Sequence, residues 1–105
     1  YTIQPNFITN KVVEGLVIDG SNFINKNIDN KIVIIENADP GYDWIFSHKI
    51  KGLVTQYGGL ASHMAIRCAE FNIPASIGCG QLIFNQIKTS KRITLDCRNK
   101  RLTKA

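Results

Sequence analysis

Apolar residues in this chain fall in short runs separated by turn-forming residues, a pattern that predicts strands more often than helices. Val12 to Ile18 predicts a strand, with Asp19-Gly20-Ser21-Asn22 as the turn behind it. Residues 22–31, rich in Asn and Lys, predict a loop with room for a short helical turn. Ile32 to Ile35 is a continuous β-branched run, the mark of a strand buried on both faces. It gives way to Asn37-Ala38-Asp39-Pro40-Gly41, where Pro fixes φ and Asp and Gly favour a turn. Tyr42 to His48 predicts a short amphipathic helix with Trp44, Ile45 and Phe46 partly buried. Ile50 to Thr55 predicts another strand, interrupted by Gly52.

Beyond Gly58-Gly59, Ser62 to Phe71 predicts a helix, and Ala65, Ile66, Cys68 and Ala69 give it a small-residue apolar face for close packing on a sheet. Ser62 suits the N-cap, its hydroxyl able to accept from a backbone N–H two or three residues on. Asn72 can end the helix and Pro74 prevents its resumption. Ala75 to Ile77 predicts a short buried strand closed by Gly78-Cys79-Gly80. Arg92 to Leu95 and Arg101 to Thr103 predict two last strands around a hairpin turn at Cys97-Arg98-Asn99-Lys100. Strands alternating with one clear helix make this a mixed α/β fold.

At 105 residues, 44% hydrophobic and 20% charged, the chain predicts one folded domain over 1–105, and its composition argues against intrinsic disorder. Its longest apolar run, Ile32 to Ile35, falls far short of the roughly 18 residues of a membrane span. No charged-then-apolar leader opens the sequence, and Tyr1 in place of methionine points to a piece cut from a longer protein. The net charge of +5 is unevenly placed: seven basic residues and one acid lie from position 86 onward, against six basic and seven acidic before it. Such a patch can attract nucleic acid. Here no aromatic follows Phe84 to stack on bases, so solvated charges on strand edges and a tail are the better reading. Cys68, Cys79 and Cys97 are odd in number and lack C-x-x-C spacing. Each reads as a small buried hydrophobe in a reducing, cytoplasmic setting rather than as part of a disulfide framework or a zinc site.

Candidate chemistry concentrates in Thr55-Gln56-Tyr57-Gly58-Gly59-Leu60-Ala61-Ser62-His63, where a strand enters a glycine turn that opens a helix. The glycines let backbone approach a ligand closely, and the helix start offers unpaired N–H groups at the positive end of its dipole. That combination favours phosphate. The same positive end disfavours imidazolium, which keeps His63 neutral and nucleophilic. A neutral imidazole can attack a phosphoryl group in line and hold it as a phosphoramidate, splitting one transfer into two. From local pattern alone, a helix-capping histidine beside a tight turn is an equally good reading.

Residues 55–78, Thr-Gln-Tyr-Gly-Gly-Leu-Ala-Ser-His-Met-Ala-Ile-Arg-Cys-Ala-Glu-Phe-Asn-Ile-Pro-Ala-Ser-Ile-Gly, closely resemble the mobile phosphohistidine domain of phosphoenolpyruvate-utilising enzymes, a family that includes phosphoenolpyruvate synthase and pyruvate phosphate dikinase. The family pattern is T-x-x-G-G-x-T-S-H-x-A-I-x-A-R-E-x-x-I-P-A-x-x-G. Upstream, Asp39-Pro40-Gly41-Tyr42 is similar to the family's D-P-G-W or D-P-D-W after a hydrophobic strand. The resemblance extends from about Val12 to the end. It implies a swivelling β/β/α domain, a mixed sheet with few helices, in which His63 is the phosphorylated residue, supported at the phosphate by Gly58, Gly59, Ser62 and Thr55. It implies no metal or cofactor on this chain, with Mg and ATP or phosphoenolpyruvate bound by nucleotide-binding and acceptor domains of the same enzyme. Carried between those sites, the phosphoryl group would reach pyruvate or, in a dikinase-type transfer from ATP, another small acceptor such as an antibiotic hydroxyl or an amide.

Ala61 stands where the family has the threonine before Ser-His, and Ala38 where relatives often have threonine before Asp-Pro, so two hydroxyls beside the histidine are missing. The family's A-R-E becomes Cys68-Ala69-Glu70, with Arg67 just ahead of it, read as an exposed side chain. These departures favour a divergent branch with a different final acceptor. His48 reads as a surface or helix-end histidine, Tyr57 as part of a docking face, Cys79 as packing, and Thr55 either as a hydroxyl donor to the site or as the end of its strand. The rival reading is a non-catalytic interaction module that kept the fold; nucleic acid and membrane partners are not expected.

Overall fold

The computed structural model describes residues 5–20, 27–37 and 40–104. Seven strands, β1 (Asn6–Ile8), β2 (Val12–Asp19), β3 (Ile32–Asn37), β4 (Gly52–Tyr57), β5 (Ala75–Ile77), β6 (Arg92–Asp96) and β7 (Arg101–Lys104), form a curled mixed sheet in the order β1-β5-β4-β3-β2-β6-β7. Its centre, β2 to β5, is parallel; β1, β6 and β7 add antiparallel edges. Among the described residues three helices accompany it: a 3-10 helix (Pro40–Ser47), α1 (His63–Glu70) and α2 (Gln81–Lys88). None is long and apolar enough to cross a membrane.

The β-branched run behaves as its pattern predicts. Ile32, Val33, Ile34 and Ile35 are all buried, and they alternate between two cores because successive side chains leave a strand on opposite faces. Val33 and Ile35 join Leu53, Ala75 and Ile77 under α1, where Met64, Ala65 and Cys68 pack down, with Ile45 from the 3-10 helix. Ile32 and Ile34 face the other way, joining Val54, Phe84 and Ile87 of α2, and Ile93 and Leu95 of β6. The parallel centre is thereby covered on both sides.

Several predicted elements are extended or corrected. The strand predicted over 50–55 is Gly52–Tyr57 instead, and Gly52 is part of its packing rather than an interruption. A Cβ there would lie 3.0 Å from Leu95 Cδ2 and 3.2 Å from the Pro74 carbonyl oxygen. The expectation of one clear helix omits α2, which fits onto the sheet through Phe84 and Ile87. β1 is also absent from the sequence reading. The turn residues Ser21 and Asn22, the first half of the loop predicted over 22–31, and Ala38 with Asp39 lie outside the described residues. What is described of that loop is anchored: Ile28 is fully buried, and Asn27 Oδ1 accepts from the Asp29 N–H at 3.0 Å.

All three cysteines are free and buried. Burial pushes the Cys68 thiol up to about 12, and Cys79 and Cys97 to about 11. A thiol kept neutral by the fold stabilises it below the unfolded value of 9.0, and that contribution is lost as pH rises toward 11–12. Thiolate-specific alkylation at pH 8 is therefore expected to label the folded chain very slowly and the urea-unfolded chain at all three positions. Rapid labelling of the folded chain would contradict this packing.

Candidate active site

The predicted site residues meet at the carboxyl ends of β4 and β5, neighbours in the parallel centre of the sheet. Their connections are joined main chain to main chain. The Thr55 carbonyl accepts from the Gly78 N–H at 3.1 Å and the Cys79 N–H at 2.9 Å, and the Gln56 carbonyl from the Gly80 N–H at 3.0 Å. Thr55, fully buried, reinforces this: its Oγ1 accepts from the Gly78 N–H at 3.0 Å and donates to the Tyr57 carbonyl at 2.9 Å. Thr55 thus lies beneath the turn with its hydroxyl occupied inside the fold.

The glycines do different things. Gly58 has φ 129° and Gly78 φ 75°, both in the left-handed half of backbone space. A Cβ on Gly78 would lie 2.4 Å from the Gly58 carbonyl oxygen, so the two loops touch only because residue 78 has no side chain. Gly59 is the opposite case: a Cβ there would meet nothing within 4 Å. Its lack of a side chain leaves open space above the turn.

Ser62 caps α1 in extended geometry, φ −69° and ψ 154°. Its Oγ donates to the Gly59 carbonyl at 2.6 Å and accepts from the Ala65 N–H at 3.4 Å, tying the turn to the helix. Ser62→Ala removes both contacts and is expected to cost about 1 kcal/mol in urea denaturation. A loss under a few tenths would show the cap to be dispensable.

His63 is the first residue of α1, and its side chain is 39% exposed. Its Nε2 lies 2.9 Å from Asp43 Oδ1, contributed by the 3-10 helix. The same oxygen accepts from Arg67 Nε at 3.1 Å. The His63 hydrogen bond, aided by the Arg67 charge and opposed by partial burial, holds the Asp43 carboxyl below its ordinary value of 3.8. Asp43 is therefore ionised at neutral pH, and an ionised carboxylate only accepts, so in this arrangement Nε2 carries a proton. The contact persists above pH 3.8 and weakens as pH falls through the depressed value.

Arg67 follows His63 by one turn of helix, which puts both on one face. It is not the simply exposed side chain that the sequence suggests. Its guanidinium lies 4.7 Å from the Phe71 ring centroid and 5.7 Å from that of Phe46, and Nη1 is 3.5 Å from Glu70 Oε2. Asp43 and Arg67 are the two groups that sequence reasoning did not assign to the site. The four-residue spacing from His63 could have indicated Arg67; nothing in the pattern of the chain places Asp43 there. Ala61 is exposed. Tyr57, Leu60 and Ile66, from the strand end, the turn and the helix, are exposed apolar side chains. His48 stands apart, 3.5 Å from Asp29. Among the described residues no group of three or more His, Cys, Asp or Glu is placed to hold a metal ion.

A partly exposed imidazole at a helix start, above a glycine turn and beside a carboxylate and a guanidinium, can take up and release a charged group from solvent. Comparison with known proteins bears on which. The chain is similar to phosphoenolpyruvate synthase of Synechocystis, 33% identical over 81 residues, 77% of this chain and 10% of that protein. It is similar to rifampicin phosphotransferase of Bacillus cereus, 38% identical over 72 residues, 68% of this chain and 8% of that protein. It is similar also to phosphoenolpyruvate synthase of Aquifex aeolicus, 35% identical over 69 residues, 66% of this chain and 8% of that protein. The chain thus spans a tenth or less of these relatives. Residues 28–100 match the family described as PEP-utilising enzyme, mobile domain, a stretch running from the buried Ile28 through both cores and the whole histidine site; the chain belongs to that family.

Proposed function

We propose that this chain is the phosphoryl carrier of a phosphotransferase, loaded on His63 at one active site and unloaded at another. The observation that carries the reading is the placement of His63: a partly exposed ring at the first position of α1, directly after a glycine turn with open space above Gly59. The dipole at the helix start favours an anion there and would stabilise charge on the transferring oxygens. A neutral ring attacks in line, and the phosphoramidate formed keeps the group transferable.

In this reading Mg and ATP or phosphoenolpyruvate are bound by other domains of the same enzyme, and this domain moves between them. Tethering maintains a high local concentration at each site. Similarity to proteins named phosphoenolpyruvate synthase and rifampicin phosphotransferase supports a small-molecule final acceptor, pyruvate or an antibiotic hydroxyl. The three free thiols suit a reducing, cytoplasmic compartment.

The test is to incubate the enzyme carrying this chain with radiolabelled ATP or phosphoenolpyruvate and map the label. Acid-labile, base-stable label is expected on the peptide holding His63. Its absence with both donors, in an enzyme that turns over, would overturn the reading.

A further inference from the structure

We propose that Asp43 occupies, in the unloaded chain, the place the phosphoryl group takes when His63 is loaded, and that Arg67 is the residue that then binds that group. The inference rests on the carrier reading above. It begins from a single atom: Asp43 Oδ1 is 2.9 Å from His63 Nε2 and 3.1 Å from Arg67 Nε. An oxyanion there touches the ring nitrogen farther from the backbone and a guanidinium at once. A phosphoryl group on Nε2 would direct its oxygens into the same region, within reach of the same cation.

The two anions exclude each other. A phosphoryl group carries between one and two negative charges near neutral pH, and a carboxylate in contact with it is repelled. While Asp43 accepts from Nε2 that nitrogen holds a proton and has no free lone pair, so the contact is a resting state. Asp43 has room to withdraw, since its side chain is 45% exposed. Arg67 stays without it, held over the Phe71 and Phe46 rings and beside Glu70. A guanidinium is suited to remain, because its planar fork matches phosphate oxygens.

Loading then runs as follows. Asp43 leaves, and the ring proton passes through solvent from Nε2 to Nδ1. The Nε2 lone pair forms the N–P bond as the bond from phosphorus to the donor's bridging atom breaks. The bonding pair goes to that atom, which takes up a proton from solvent or a partner.

Phosphoramidate, a donor that needs no enzyme, tests this on the 105-residue chain, with mass spectrometry locating the label and its decay timed after donor removal. The wild type is expected to load on His63, and Asp43→Asn to load about three-fold faster, the scale of one exposed charge interaction. Label on Arg67→Gln should decay about ten-fold faster, as expected for loss of a charge-assisted hydrogen bond, with Arg67→Lys between. A merely structural role for Arg67 would move denaturation midpoints without moving label lifetime. Asp43→Asn loading at or below the wild-type rate, or Arg67→Gln label with wild-type lifetime, overturns the proposal and leaves the carrier reading standing. Failure of His63 to load in every protein, wild type included, overturns both.

Discussion

His63→Ala is expected to reduce acid-labile label to background while leaving the fold intact. The ring is 39% exposed and the helix is capped by Ser62, so the substitution removes the proposed nucleophile without opening a core. Its effect on urea stability should stay within about 1 kcal/mol, the range of a surface change. On the carrier reading the functional consequence is larger, because one group would serve two reactions. A relay histidine is the acceptor in the first half-reaction and the donor in the second. Isotope exchange between donor and its product, and exchange at the acceptor site, are therefore expected to disappear together in the full enzyme. Loss of one exchange with retention of the other would show that the group does not pass through His63. Label at wild-type level in the variant would remove His63 from the chemistry.

Gly78→Ala is the change expected to damage the fold most per atom added. Residue 78 sits at φ 75°, where an L side chain meets steric strain of roughly 1–2 kcal/mol. The new methyl would also stand 2.4 Å from the Gly58 carbonyl oxygen, a backbone atom that gives way only if the turn moves. Together a loss of about 3 kcal/mol or more is expected in urea denaturation, with reduced loading of His63 because the displaced turn leads into α1. Gly59→Ala is the control: its methyl enters open space, and stability should change by less than about 1 kcal/mol. Equal losses at the two positions would mean that contact between the loops does not set the site.

The elements with a strong local pattern were readable from the chain. Ile32 to Ile35 declares a two-sided strand because only β-branched residues occupy it, and both of its faces are buried. α1 is bracketed by a serine cap and by Asn72, which takes the left-handed φ of 59° expected of a helix terminator. α2 was hidden for a physical reason. Its cap, Gly80, has no side chain to signal a start, and Leu82 is 76% exposed, which blurs the apolar face formed by Phe84 and Ile87. β1 is three residues long and gains its partner from β5, some seventy positions away, so no short window contains its cause. The site divides in the same way. Gly58, Gly59, Ser62 and His63 form one continuous turn and helix start and are legible together. Asp43 reaches His63 only because the 3-10 helix packs beside α1, a relation that tertiary packing creates.

The hydrogen bonds from Gly78, Cys79 and Gly80 to the carbonyls of Thr55 and Gln56 bear on how such a domain can diverge. A scaffold pinned by peptide groups is indifferent to most of the side chains it displays. The platform beneath the histidine can therefore be inherited unchanged while surface positions such as 61 are exchanged, and a lineage can retune its neighbours for a new client without rebuilding the floor on which they stand.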